Sequence, residues 1–177
     1  TIHGNGIVNL KEKTSNSLDT VDEVARPQVT IKQSQIYALL KNIAGYNQIY
    51  REAGAVHGCA LCKGPEVLHF IEDIGRHNAT DAIAGEMWLE DIKGADKWFY
   101  TTGRLTSEIV MKVASMDIPV LLSRSGITHM GLQLAEHLDV TLIARAKGRH
   151  FLVYSGKDNL IYDEIPKRRR ETDTINS

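Results

Sequence analysis

From Lys97 to Tyr154 short apolar runs alternate with longer amphipathic stretches, and no other feature restricts the fold of this chain as strongly. Lys97–Thr101, Val120–Leu122 and Val140–Ala144 read as strands, and Phe151–Tyr154 as one more. Between them, Leu105–Met116 turns Ile109, Val110 and Val113 to one face. A second helix follows Thr128, a natural N-cap, and shows Leu134, Ala135 and Leu138. Single helices between successive strands predict an α/β sheet with helices on its faces. Upstream, the apolar runs Ala55–Cys62 and Glu66–Ile71 flank Lys63-Gly64-Pro65, which predicts a hairpin and therefore a mixed sheet. Thr30 with Gln33 looks like a capping box that opens a helix. Its stripe is Ile36, Leu39, Leu40 and Ile43, and it fades between Gly45 and Tyr50. After the hairpin, a helix is expected with Ala79, Ala82, Ile83 and Met87 inward.

The length of 177 residues suits one domain with a segment at each end. Residues 1–28 are expected to hold a short strand near Ile7-Val8 and a mobile loop region. Residues 29–165 form the α/β domain, and 166–177, with Lys167-Arg168-Arg169-Arg170, a disordered tail. A net charge of -1 gives no general pull toward nucleic acid or membrane. No apolar stretch approaches the ~20 residues of a membrane span. Nothing resembles a signal peptide, and two cysteines are too few for a secreted disulfide scaffold. These features together point to the cytoplasm.

In sheets of this kind ligands sit where strands end and helices begin. Three segments fall at such an edge: Glu72–Asn78, Thr101–Arg104 and Ser123–Thr128. In the first, Gly75 permits a tight bend, the helix start offers free N–H groups, Arg76 pairs with carboxylate or phosphate, and His77 exchanges protons near neutrality. The competing reading is a solvated capping turn, with Asp73 bonded to backbone and Arg76 to an acid. Cys59 and Cys62 form a C-x-x-C, but on a strand an odd and an even position face opposite ways. Cys59 then shares a face with His57 and Leu61 while Cys62 points away, so the pair neither closes a disulfide nor holds one metal. On a helix the two would share a face. His57 is either a polar group of the pocket or a satisfied core histidine.

The segment EDIGRHNATDAIAG closely resembles the signature of the FdhD family, the formate dehydrogenase accessory sulfurtransferases. Gly54-Ala55-Val56-His57 resembles the family's threonine-glycine-X-histidine strand, and Thr101-Thr102-Gly103-Arg104 with Ser107-Glu108 its serine-serine-arginine stretch. Ser123–Thr128 falls at its serine-alanine-proline-threonine turn. Thr141-Leu142-Ile143 with Lys147-Gly148-Arg149 resembles its last strand and basic glycine loop. The resemblance runs in order from about Leu18 to Tyr154. It implies a cytidine-deaminase-like three-layer α/β/α fold with a mixed sheet. It also implies a sulfur carrier that takes a persulfide from a cysteine desulfurase. The sulfur passes to the molybdenum bis(pterin guanine dinucleotide) cofactor, which is then used by formate dehydrogenase. A homodimer is the family expectation.

The family's cofactor-binding segment maps by position onto Arg145, Ala146, Lys147, Gly148, Arg149 and His150, although Ala144-Arg145 replaces its glycine-phenylalanine. His57, Asp73, Arg76, His77 and Arg104 are expected in the pocket. On that reading, replacing Arg149 and Lys147 with alanine weakens guanosine diphosphate binding. The family's carrier cysteine stands in a Cys-Gly-X-Cys loop, but here Thr14-Ser15-Asn16-Ser17 runs straight into Leu18. The loop has been lost, has been removed, or belongs to a mobile segment missing from the sequence; its need to travel between donor and acceptor favours the last. No residue of this chain is therefore assigned as catalytic. The histidine and Pro-Cys-X-X-Cys pattern of the zinc deaminases is absent, so no metal site is expected. A cofactor-binding chaperone without transfer activity is the alternative, and a nucleotide enzyme unrelated to molybdenum is a third.

Overall fold

The computed structural model describes residues 29–165; the expected strand near Ile7-Val8, the loop region through residue 28 and the tail from Pro166 lie outside the described residues. A two-residue strand, β1 (Ile31–Lys32), leads into helix α1 (Gln33–Ile43). β1 pairs in parallel with a second short strand near the end of the described chain, Ile31 opposite Leu160 and Lys32 opposite Ile161. That pairing keeps the backbone extended through Lys32, so the helix opens later than the Thr30–Gln33 box predicts. The cap is set by Gln35, whose side chain accepts from the Lys32 N–H at 3.1 Å. Gln33 is instead buried, with Nε2 donating to the Tyr37 hydroxyl at 2.6 Å.

A six-residue helix, α2 (Gln48–Ala53), follows where the sequence suggests only a fading helix end. None of its residues is buried, so it carries no apolar stripe by which it could be read. The predicted hairpin is present as β2 (His57–Lys63) and β3 (Glu66–Asp73). Helix α3 (Arg76–Leu89) starts inside the charged turn, with Gly75 as its N-cap. Its buried face is Ala79, Thr80, Ile83 and Met87. Ala82 is exposed, contrary to the periodicity reading, because Thr80 takes that part of the interface and donates its hydroxyl to the Arg76 carbonyl at 2.8 Å.

The rest alternates as expected: β4 (Trp98–Thr101), α4 (Ser107–Ser115), β5 (Val120–Ser123), α5 (His129–His137), β6 (Thr141–Lys147) and β7 (His150–Ser155). The Thr128 cap is real, its hydroxyl accepting from the Gly131 N–H at 3.1 Å. A single 3₁₀ turn (Lys157–Asn159) and β8 (Leu160–Ile161) complete the described chain. One mixed sheet runs in the order β3-β2-β4-β5-β6-β7, parallel across β4, β5 and β6 and antiparallel elsewhere.

Crossovers between parallel strands are right-handed, so α3, α4 and α5 fall on one face of the sheet. There they bury Ile83, Ile109, Val113 and Ala135 against Leu61, Phe99, Leu121 and Leu142. The other face is covered by α1 and the β1–β8 pair through Ile31, Ile36, Leu39 and Leu160. The result is the three-layer α/β/α arrangement with a mixed sheet. Among the described residues no helix is long and apolar enough to cross a membrane.

The two ends of the described chain are clasped together. Asp163 accepts from the Ser34 N–H at 2.9 Å and from its hydroxyl at 2.6 Å. These bonds hold its carboxyl below the usual carboxylate range. The clasp is complete above the ordinary carboxylate pKa of about 3.9 and is lost as pH falls through the lowered folded value.

Candidate functional site

The strand directions decide what can meet. β4, β5 and β6 end at one edge of the sheet, and β2 and β7 begin there because they run antiparallel. β3 also ends there, with Asp73 opposite His57. Buried hydroxyls finish the central strands and fold the chain over this edge. Thr101 sits opposite Ser123. The Thr101 Oγ1 accepts from the Gly103 N–H at 3.1 Å, and the Ser123 hydroxyl donates to the Gly103 carbonyl at 2.6 Å. The two loops are then tied through Leu105: its N–H donates to the Gly126 carbonyl, and its carbonyl accepts from the Thr128 N–H.

Three adjoining cavities open on this edge. One of about 470 Å³ is lined by Tyr50, Gly54 to His57, Thr102, Arg124 and Ser125. A second, about 720 Å³, is lined by Arg104, Arg124, Ser125, Arg145, Lys147 and His150, with Gly126 and Ile127. A third, about 200 Å³, reaches from Tyr100 and Asn47 to Ala146, Lys147 and Gly148. Arg124 borders all three. The middle cavity has four Lys and Arg side chains and no carboxylate in its lining. Among the described residues none of those four is ion-paired. Unneutralised guanidinium groups converging on one hollow suit a polyanion, phosphate above all.

Arg145 is held in the left-handed region, at φ 52°, where the β6–β7 register shifts between Ala144 and Lys147. The bulge turns Arg145 toward the cavity while Ala146, 1% exposed, stays in the core. A non-glycine residue in that conformation costs about 1–2 kcal/mol. Arg145→Gly is therefore expected to raise unfolding stability by up to about 1 kcal/mol while weakening anion binding. Urea unfolding and a phosphate-ligand titration of the same variant check both halves.

The eleven residues expected at the site divide in the structure. Arg145, Lys147 and His150 come together with Arg104 in the middle cavity, and His57 lines the first. Ala146 and Gly148 border the smallest. Arg149 lies elsewhere: its guanidinium is ion-paired with Glu164 and sits 4.9 Å over the Tyr37 ring. Asp73, Arg76 and His77 line none of the three cavities. Asp73 accepts from the Gly75 N–H at 2.7 Å and the Asn78 amide at 3.1 Å. The Arg76 stem packs so closely on Gly103 that a Cβ there would lie 2.6 Å from Arg76 Cδ. His77 Nε2 is 3.2 Å from a Glu108 carboxylate oxygen.

Glu72 has a separate task. Its two carboxylate oxygens accept from the Ile49 and Tyr50 N–H groups, both at 2.9 Å, and so cap α2. With no buried side chain, α2 depends on this cap to bring Tyr50 to the first cavity. Losing such a cap costs about 1 kcal/mol. Glu72→Ala is expected to show that loss in urea unfolding, with faster amide exchange over Gln48–Ala53.

The cysteines separate as strand alternation requires. Cys59 packs with the α3–α5 face and Cys62 with the α1 face, and both are free thiols. Burial pushes the Cys62 thiol up to about 12 and raises that of Cys59, although the Thr101 hydroxyl, 3.3 Å from Cys59 Sγ, opposes the rise. Neither forms a thiolate near neutrality, and the thiolate is the reactive species.

Sequence reasoning passed over Arg124, Ser125 and Tyr50. The segment Ser123–Thr128 is marked as a strand-end edge, but which of its residues faces the ligand depends on the Thr101–Ser123 register.

Comparison with known proteins accords with this architecture. A profile of the FdhD/NarQ family matches residues 3–161. The "Sulfur carrier protein FdhD" of Listeria monocytogenes serotype 4b is 32% identical over 154 residues, 87% of this chain and 54% of the Listeria protein. Its Bacillus subtilis namesake is 31% identical over 138 residues, 78% of this chain and 53% of that protein. The chain thus spans about half the length of these relatives. A crystal structure described as a formate dehydrogenase accessory protein from Desulfotalea psychrophila superposes with a TM-score of 0.71 at 29% identity, covering 76% of this chain and 58% of that one. With the profile spanning nearly the whole sequence and the fold shared, the chain belongs to the FdhD/NarQ family.

Proposed function

We propose that this domain holds the molybdenum bis(pterin guanine dinucleotide) cofactor as a substrate during its sulfuration, in the service of formate dehydrogenase. The observation that carries the reading is the strand-end cleft, where Arg104, Arg124, Arg145 and Lys147 converge without a carboxylate among its lining residues. The cofactor's pyrophosphates supply the matching charge, and bidentate guanidinium pairing supplies orientation. Tyr50, His57 and Thr102 border the adjoining cavity, which takes the less charged part of the ligand. The names of the relatives support the reaction class, a sulfur carrier; that the sulfur arrives as a persulfide from a cysteine desulfurase is what the family resemblance implies. This domain's part is binding, orientation and exclusion of water, because Cys59 and Cys62 are buried and protonated.

A second reading, a cofactor-holding chaperone without transfer activity, is favoured by that same burial of both cysteines. The two are separated with a cysteine desulfurase, radiolabelled cysteine and the isolated cofactor. Under the first reading the protein accelerates transfer of label to the cofactor, and Arg124→Ala abolishes the acceleration. Cofactor retention with no acceleration by the full-length protein identifies the chaperone.

A further inference from the structure

The edge strand β3 and the far end of helix α3 bring together side chains that the strand-end cleft does not use. His69, Glu86 and Glu90 each offer one ligand atom, and these three atoms lie within 4.8 Å of one another. His69 Nε2 is 3.3 Å from a Glu90 carboxylate oxygen. Helix α3 begins at the cleft edge, so a rise of about 1.5 Å per residue puts its last turn about 20 Å from the cleft.

A β-bulge aims the histidine. In the β2–β3 register Val67 lies opposite Cys62 and His69 opposite Leu61, which leaves Leu68 without a partner. Strict alternation would put Val67 and His69 on the same face of the sheet. Instead Val67 packs with Cys62 on the α1 side, whereas Leu61 and Ile71 pack on the α3 side. The extra residue turns His69 over with Leu61, toward α3.

The helix end itself calls for a cation. Glu86 and Glu90 stand one turn apart, where like charges repel. They also occupy the negative end of the helix dipole, and the last turn of α3 contains no basic residue. Among the described residues no lysine or arginine is ion-paired with either. His69 meets only one of the two carboxylates; a bound cation meets both. An imidazole with two carboxylates suits zinc, whereas magnesium and calcium take oxygen ligands. Tetrahedral zinc with bonds of about 2.0–2.1 Å sets its ligand atoms about 3.3–3.4 Å apart. The His69–Glu90 separation already has that value, and a small rotation of the half-buried Glu86 side chain brings in the third ligand.

We propose that His69, Glu86 and Glu90 form a zinc site, with water as the fourth ligand, that clips the edge strand β3 to the end of α3. It is unrelated to the deaminase zinc pattern, which this sequence lacks, and it does not depend on what the cleft binds.

Calorimetric titration of the whole chain with zinc, after stripping with a chelator, tests it. His77→Ala is the control, because His77 makes the other histidine–glutamate contact on this helix. The expected result is a saturable equivalent of zinc that excess magnesium does not displace. Loss of a group that merely orients a metal ligand costs about 10–100-fold in affinity, so His69→Gln, Glu86→Gln and Glu90→Gln are each expected to cost at least about 100-fold. His77→Ala leaves the affinity unchanged, and zinc slows amide exchange in β3 and the last turn of α3. Glu90 is exposed, so its variant keeps the test decisive even if His69→Gln disturbs folding. Absence of saturable zinc binding, binding that survives Glu86→Gln and Glu90→Gln, or displacement by magnesium overturns the proposal.

Discussion

Replacing Arg124 and Lys147 together with alanine is expected to weaken guanosine diphosphate binding by at least about 100-fold. Arg124 borders all three strand-end cavities and Lys147 two of them. Each hydrogen bond between ionised partners contributes about 1.5–3 kcal/mol, and every 1.4 kcal/mol is about tenfold in affinity. Both side chains are exposed and neither is ion-paired among the described residues, so their loss leaves the fold intact. Titrations of the variant and the parent protein at low and high salt measure the effect. The parent affinity falls with added salt and the variant's falls less, because less charge is engaged. Arg149→Ala, by contrast, is expected to change this binding little, since Arg149 stacks on Tyr37 and pairs with Glu164 outside the cleft.

Gly131→Ala is expected to destabilise the protein by about 1–3 kcal/mol, the usual cost of overpacking, and to impair ligand binding as well. A Cβ at Gly131 would lie 2.7 Å from the Leu105 carbonyl oxygen and 3.1 Å from Thr128 Oγ1. The first is backbone and cannot swing aside. Leu105 is the residue that ties the Thr102–Thr106 and Ser123–Thr128 loops together. Displacing it moves Arg104 and Arg124 apart. Urea unfolding gives the stability change, and guanosine diphosphate titration of the still-folded variant gives the loss of affinity. A destabilised variant with parental affinity would show that the loop junction does not position the cleft.

The sheet and its helices were legible because their burial is periodic. Ile109, Val110 and Val113 recur on one face of α4, and the hairpin is punctuated by Lys63-Gly64-Pro65. Strand alternation also placed Cys59 and Cys62 on opposite faces without knowledge of the fold. What escaped depends on contacts distant in sequence. The shifted start of α1 follows from pairing of Ile31 with Leu160. Helix α2 has no buried side chain and is capped by Glu72, more than twenty positions away in the chain.

Composition does not say how the side chains of the charged turn are engaged. Asp73 and Glu72 are spent on backbone N–H groups, His77 faces Glu108, and Arg76 braces Gly103. The turn positions neighbouring elements and contributes no side chain to the cavities. Arg124 was hidden for another reason. The sequence marks its segment, Ser123–Thr128, as a strand-end edge but does not single out the arginine, and only the parallel register of β4, β5 and β6 brings it beside Arg104, Arg145 and Lys147.

The central claim is that the strand-end cleft is where a guanine dinucleotide is held by its phosphates. The most direct measurement is a crystal structure of the protein with guanosine diphosphate bound. The account predicts the diphosphate within hydrogen-bond distance of Arg124 and Lys147, between the ends of β5 and β6. A diphosphate seated away from that edge, with Arg104, Arg124, Arg145 and Lys147 all in solvent, would contradict it.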